Sequence, residues 1–182
     1  MDNLPLYMTS HLNDIPEYPL PDGFTFCLLS HEQEKEQWAE ITTAAGEFTD
    51  KQHALQRFAT EFAPKLNEVK RRIVFLKTTH DTYVGTATAW FGQWKNQTIG
   101  RLHWIAIKPA FQGKGLGKPL VAKAVKLLKQ YHHKAYLKTQ PRNLTAIYIY
   151  RDFGFKPAIH SAAEEQAWNA VFSRLRSTDK RT

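Results

Sequence analysis

Ile105-Ala-Ile-Lys-Pro-Ala-Phe-Gln-Gly-Lys-Gly-Leu-Gly117 begins as an apolar run of strand length, passes through a glycine-rich turn, and leads into an amphipathic helix that starts near Leu116. Glycines at 113, 115 and 117 remove the Cβ atoms that would hold an anion away from the backbone. The unpaired N–H groups of the following helix, with the positive end of its dipole, point at the same place. Lys114 and Lys118 add mobile positive charge there. The pattern predicts a phosphate cradle, although a three-glycine turn by itself is equally compatible with a helix that starts after a flexible loop.

Working outward, the helix is predicted over 116–131, with Leu120, Val121, Ala124, Leu127, Leu128 and Tyr131 on one stripe and Lys123, Lys126 and Lys129 outside it. The next β-rich run, 134–139, is expected parallel to the strand before the turn, because a helical crossover joins them. Residues 143–153 read as a helix stopped by Gly154, and 155–159 as a short strand. Ser161 and Glu164 have capping-box spacing ahead of an apolar stripe through Trp168, Val171 and Leu175, which predicts an added C-terminal helix over 161–176 and a frayed basic tail. Upstream, 72–77, 83–91 and 101–108 form an antiparallel meander, with turn-like segments at His80-Asp81 and 92–100. Two helices come before it, one opened by Ser30 and Gln33 and one by Asp50, joined by a loop over 46–49. Residues 24–29 are a strand. Prolines at 5, 16, 19 and 21 predict an irregular arm over 1–23.

At 182 residues the chain fits one domain that buries its core without disulfides or metals. No apolar run approaches the ~20 residues of a membrane span, and residues 1–23 lack a basic and apolar leader, so a cytoplasmic protein without a membrane partner is expected. The single cysteine, Cys27, reads as a small core residue. His132-His133 has no acidic or Cys partner at ligand spacing, so no metal is expected. Twenty-five Lys and Arg against seventeen Asp and Glu give +8, which suits a polyphosphate cofactor, a nucleic acid, or simply a solvated basic face. No interleaving of aromatic and basic residues marks an RNA surface, so nucleic acid ranks low.

The order of elements resembles the GNAT superfamily of acetyl-coenzyme A dependent N-acyltransferases, and two motifs carry the resemblance. Gln112-Gly-Lys-Gly115-Leu-Gly117 is similar to the family's glycine signature. Asn143-Leu-Thr-Ala146-Ile-Tyr-Ile-Tyr150-Arg-Asp-Phe-Gly154-Phe155 is similar to its second element. The match covers about 72–157, the cofactor-binding core. The resemblance implies an α/β (α+β) fold with a mixed, mostly antiparallel central sheet and helices on both faces, in a single domain over 1–182.

It further implies acetyl-coenzyme A as cosubstrate, with its pyrophosphate on the backbone of Gln112, Gly113, Lys114, Gly115, Leu116, Gly117 and Lys118. The pantetheine arm would pair with the strand at Ile105, Ala106 and Ile107 and bond Asn143. A backbone N–H near Ala106 or Ile107 would polarise the acetyl carbonyl. Tyr150 would lie near the sulfur and protonate it as it leaves, by direct transfer to a small-molecule or peptide amine. Many relatives carry a Glu on the strand before the turn, and that alignment lands on Arg101 here, so the base is open. His103, on the same strand face as Arg101 and Ile105 by simple alternation, is the candidate. Glu47 in the interhelical loop and Trp90, with Phe91 and Trp94, are candidates for the acceptor site. The C-terminal helix stands where many relatives add a closing strand, which leaves that wall to this chain or to a second copy in a homodimer. A non-catalytic acyl-coenzyme A binding module and an enzyme acting on aminoacyl-tRNA are the alternatives.

Overall fold

The computed structural model describes residues 4–179. Seven strands form one sheet: β1 (Leu6–Ser10), β2 (Phe24–Leu28), β3 (Ile73–Thr78), β4 (Tyr83–Trp94), β5 (Gln97–Ile107), β6 (Ala135–Thr139) and β7 (Lys156–Ala158). Their spatial order is β2-β3-β4-β5-β6-β1-β7. Every neighbouring pair is antiparallel except β5 and β6, which run parallel because helix α4 (Gly117–Tyr131) carries the chain back over the sheet.

Side-chain alternation divides the core in two. Ile73 and Phe75 point to one face, where α1 (Lys35–Ala44), α2 (Lys51–Glu61) and α3 (Leu66–Arg72) lie. Val74 and Leu76 point to the other, which is filled by α4, α5 (Leu144–Asp152) and α6 (Ala162–Asp179). Trp38 anchors the first face, fully buried with its ring 5.4–5.8 Å from those of Phe48, Phe58, Phe62 and Trp104. Burial of one aromatic of this kind is worth about 1.5–3 kcal/mol. The helix starts follow local chemistry. Asp50 accepts the His53 N–H at 2.9 Å, and the Glu34 carboxylate caps Ser30 and His31 at 2.6 and 2.9 Å, one residue later than the Ser30–Gln33 spacing suggests. Trp168, Val171 and Leu175 seat the expected C-terminal helix; the tail beyond Asp179 lies outside the described residues.

Three expectations change. The arm over 1–23 is not irregular throughout: β1 is inserted between β6 and β7, with Leu6 and Met8 fully buried and alternating with Tyr7 and Thr9. Pro5 and Pro16 flank that strand rather than interrupt it, so no ladder donor is lost. The side of the sheet that the sequence leaves open is thus closed by this chain's own N-terminal segment. The 92–100 segment is not a long turn; β4 and β5 continue as paired strands to Trp94 and Gln97, tied by a Gln93–Thr98 side-chain bond of 2.8 Å. Residues 66–72 form α3 where only a strand was expected from 72 onward. Arg72 at its end is buried and bonds Glu68 at 2.6 Å and the Ala89 carbonyl at 3.1 Å.

Candidate active site

β5 pairs with β6 only at Gly100, Arg101 and Leu102. Beyond Leu102 the two strands part, and a cleft of 1230 Å³ opens between them. Its walls are the α1–α2 loop at Glu47, the end of α2 at Arg57 and Glu61, β5 from Arg101 to Ile105, and α5 as far as Tyr150. Among the described residues the β5 edge from His103 to Ile107 that faces away from β4 has no strand partner, so an extended arm with amide groups can pair there.

The glycine turn stands at the C-terminal end of β5. Gly113 and Gly115 both have φ of 74°, a conformation that favours glycine. A Cβ built on Gly113 would meet nothing within 4 Å, so the turn is open to an approaching group. Gly117 packs closely on α5: a Cβ there would sit 3.0 Å from the terminal methyl of Ile149, which would have to shift. The Gln112 side chain donates to the Ile107 carbonyl at 2.9 Å and pins the turn to the strand. Lys114 is over the Phe111 ring, whereas Lys118 is paired with Asp152 at 2.6 Å, and Tyr18 also donates to that carboxylate at 3.1 Å. An open nest of N–H groups at a helix start, next to an unpaired strand edge, fits the pyrophosphate and amide arm of acetyl-coenzyme A.

The face expected for His103 is corrected by a bulge. Thr86 pairs with Ala106 but Thr88 pairs with His103, so β5 carries an extra residue at Trp104 and Ile105. Trp104 has φ of 46°, which costs a non-glycine residue about 1–2 kcal/mol. The bulge shifts the alternation: Ile105 and Ile107 pack on the α4 side, while Trp104 and Ala106 pack with the α1–α2 core. Arg101 and His103 therefore share a side with Trp104 and not with Ile105.

This places His103 against the last residue of α2. Its Nε2 is 2.7 Å from Glu61 Oε1, and Trp104 Nε1 donates to Glu61 Oε2 at 3.1 Å. Arg101 Nη1 is 3.7 Å from the same carboxylate. Burial would raise the Glu61 carboxyl, but the His103 hydrogen bond, Trp104 and Arg101 outweigh it and hold it below the ordinary range. Burial lowers His103 below its ordinary value, with Arg101 and Arg57 pushing the same way and Glu61 opposing. Burial therefore favours the neutral imidazole. Because a carboxylate only accepts, Nε2 carries the hydrogen and Nδ1 keeps the free lone pair. Nothing local in the sequence ties Glu61 to His103, since 42 positions separate them. Its one local signal is a carboxylate on the last residue of a helix, where the dipole disfavours it.

Tyr150 is buried at the foot of the cleft, and desolvation, with the Glu47 charge second, pushes its phenol well above the ordinary value. Glu47 opens onto the cleft, yet the surrounding protein raises its carboxyl, only partly countered by Arg142. Asn143 sits at the start of α5 but its side chain makes no capping bond, so the helix does not use its amide. Trp90 is a correction. It is 4% exposed, 4.9 Å from the Phe62 ring and stacked on Phe91, so it belongs to the core because strand alternation turns it under α2 and α3. Trp94 lies against Tyr7 and Tyr136 outside the cleft. Cys27 is likewise outside, its thiol pushed up by burial.

A family model described as "Acetyltransferase (GNAT) family" matches residues 31–155. A curated relative, a mycothiol acetyltransferase of Pseudarthrobacter chlorophenolicus, is 27% identical over 156 residues, 81% of this chain and 47% of its own length. The chain thus spans about half the length of that relative. Among solved structures, a GCN5-related N-acetyltransferase from Sphaerobacter thermophilus is similar with a TM-score of 0.63 at 16% identity, over 85% of this chain and 48% of the other. A protein from Pyrococcus horikoshii is similar with a TM-score of 0.62 at 19% identity, over 76% of this chain and 92% of the other. At these identities the structural likeness speaks to the fold. Among the described residues no helix is long and apolar enough to cross a membrane.

Proposed function

Because the chain belongs to the acetyltransferase (GNAT) family, we propose that it moves an acetyl group from acetyl-coenzyme A to a primary amine by direct attack in a ternary complex. The observation that carries this reading is the convergence of an imidazole bonded to a carboxylate, His103 and Glu61, and a buried phenol, Tyr150, on one cleft whose strand edge leads to the glycine turn.

Gln112, Gly113, Lys114, Gly115, Leu116, Gly117 and Lys118 would hold the pyrophosphate, and Ile105, Ala106, Ile107 and Asn143 the pantetheine arm. The bound cosubstrate supplies the activated thioester carbonyl. His103 Nδ1 takes a proton from the incoming ammonium, directly or through a water, which leaves a nucleophilic nitrogen. Glu61 is a positioning residue: it fixes the tautomer and favours the imidazolium as it forms. As the C–N bond forms and the C–S bond breaks, the Tyr150 hydroxyl, kept protonated by its buried setting, gives its proton to the departing sulfur, and the second proton shed by the acylated nitrogen passes through water to restore the phenol. Cys27, outside the cleft, takes no part, in keeping with transfer without a covalent protein intermediate. The Glu61–His103 pair also supplies a carboxylate-backed base where the sequence shows Arg101, which favours an enzyme over a mere binding module. The test is thiol release from acetyl-coenzyme A with an amine panel, alongside calorimetric titration of acetyl-coenzyme A into the parent and a Gly115→Glu variant. Binding in the parent, its loss in the variant, and amine-dependent release are expected. Binding with no release for any amine would favour the module, and no binding would refute the reading.

A further inference from the structure

We propose that the acceptor is a small amine carrying its own anionic group, a carboxylate or phosphate within a few bonds of the nitrogen, held by Arg101 and Arg57 beside His103. This rests on the acetyl-transfer reading and names its substrate class.

Four cations, Arg57, Arg101, Lys138 and Arg142, line the cleft against two carboxylates. Glu61 is committed to His103 and Trp104, and Glu47 lies in the field of Arg142. Among the described residues no carboxylate lies within 4.0 Å of Arg57 or Lys138. Among the described residues Arg101 has only its 3.7 Å contact with Glu61 and a ring contact with Tyr136, and its buried Nε has no acceptor. A guanidinium offers five donors and most of these are unmet. The cleft thus keeps positive charge in excess at the end where the base stands.

The cosubstrate phosphates do not account for that charge. Arg101 is six strand residues before Ile107, roughly 20 Å along β5 from the glycine turn at ~3.3 Å per residue. Glu61 Oε1 touches both His103 and Arg101, so imidazole and guanidinium are a few bond lengths apart. An anion on Arg101 therefore puts an amine a few bonds away within reach of His103. The same arrangement couples binding to chemistry: Arg101 and Arg57 depress the basicity of His103, and an anion seated on them cancels part of that field. A polyamine meets only repulsion from these groups.

The test compares kcat/KM for matched acceptors with saturating acetyl-coenzyme A: free amino acids against their α-carboxamides, phosphoethanolamine against ethanolamine, and spermidine. The anionic member of a pair should be favoured about 10–100-fold, the range of a charge-assisted hydrogen bond. The carboxylate and phosphate pairs identify which anion the site takes. Arg101→Met should collapse that ratio. Arg57→Met, on the exposed side of α2, should reduce it without the packing change at Tyr136. Free amino acid or phosphoethanolamine should also raise the melting temperature of the parent more than that of Arg57→Met. Equal or better turnover of the neutral partners, preference for spermidine, or inert amines throughout while acetyl-coenzyme A still binds would each overturn this inference. Loss of acetyl-coenzyme A binding would instead refute the underlying reading.

Discussion

Replacing Tyr150 by Phe removes one oxygen from the foot of the cleft and leaves the ring where it is. The ring is held by burial and by an edge contact with Phe155 at 6.4 Å, and Phe keeps both. Among the described residues no hydrogen bond joins the hydroxyl to the protein, and Tyr150 lines the cleft. The folding cost is therefore small, about 0.5 kcal/mol or less, which for a chain of this size shifts Tm by about 2 °C at most. The chemical cost is of another order. A positioned general acid contributes about 10²–10⁴-fold, or roughly 2.7 kcal/mol and more of barrier. The assay is thiol release under acetyl-coenzyme A saturation with the best acceptor of the panel, beside a thermal melt of the same preparation. A fall in kcat of about 100-fold or more with an unmoved Tm is expected. A kcat within about threefold of the parent, with the melt unchanged, would refute the assignment of Tyr150 as the acid and leave that proton to water.

The pH profile tests the other proton. His103 lies below its ordinary value of 6.5, so the acid limb of kcat/KM should fall below that pH. Glu61→Gln should move the limb to lower pH and Arg101→Met to higher pH, and parallel shifts in one direction would contradict the electrostatics. In folding, the unfolded chain binds the His103 proton first, so stability should decline as pH drops below 6.5 toward the folded value, a slope that a His103→Gln variant should flatten in acid-dependent melts. Gly113→Ala should cost about 1–2 kcal/mol from its φ of 74° and weaken acetyl-coenzyme A binding by calorimetry; unchanged affinity would move the phosphate away from this turn. Met8→Ala empties a fully buried site in β1 and should cost about 2–5 kcal/mol, read as a Tm lower by about 5–15 °C. A shift under about 2 °C would mean that β1 is not part of the sheet.

What could be read from the sequence is what depends on neighbours in the chain. The glycine turn, the crossover that makes β5 and β6 parallel, the cap at Asp50 and the stripe of α6 all follow from backbone geometry and periodicity over a few residues. Asn143 and Tyr150 both line the cleft, and the motif that singles them out is short and fixed in spacing. The tertiary structure alone decided the rest. β1 was hidden because a five-residue strand among prolines carries little local signal and becomes a strand only when β6 and β7 supply its ladders. Trp90 was misplaced because an aromatic at a strand end looks the same whether it faces a core or a cleft. The bulge at Trp104 turned Arg101 and His103 to the side of α2, which no alternation rule anticipates. Glu61 met His103 across 42 residues because α2 happens to end over that bulge, and charges brought together by packing leave no trace in sequence spacing.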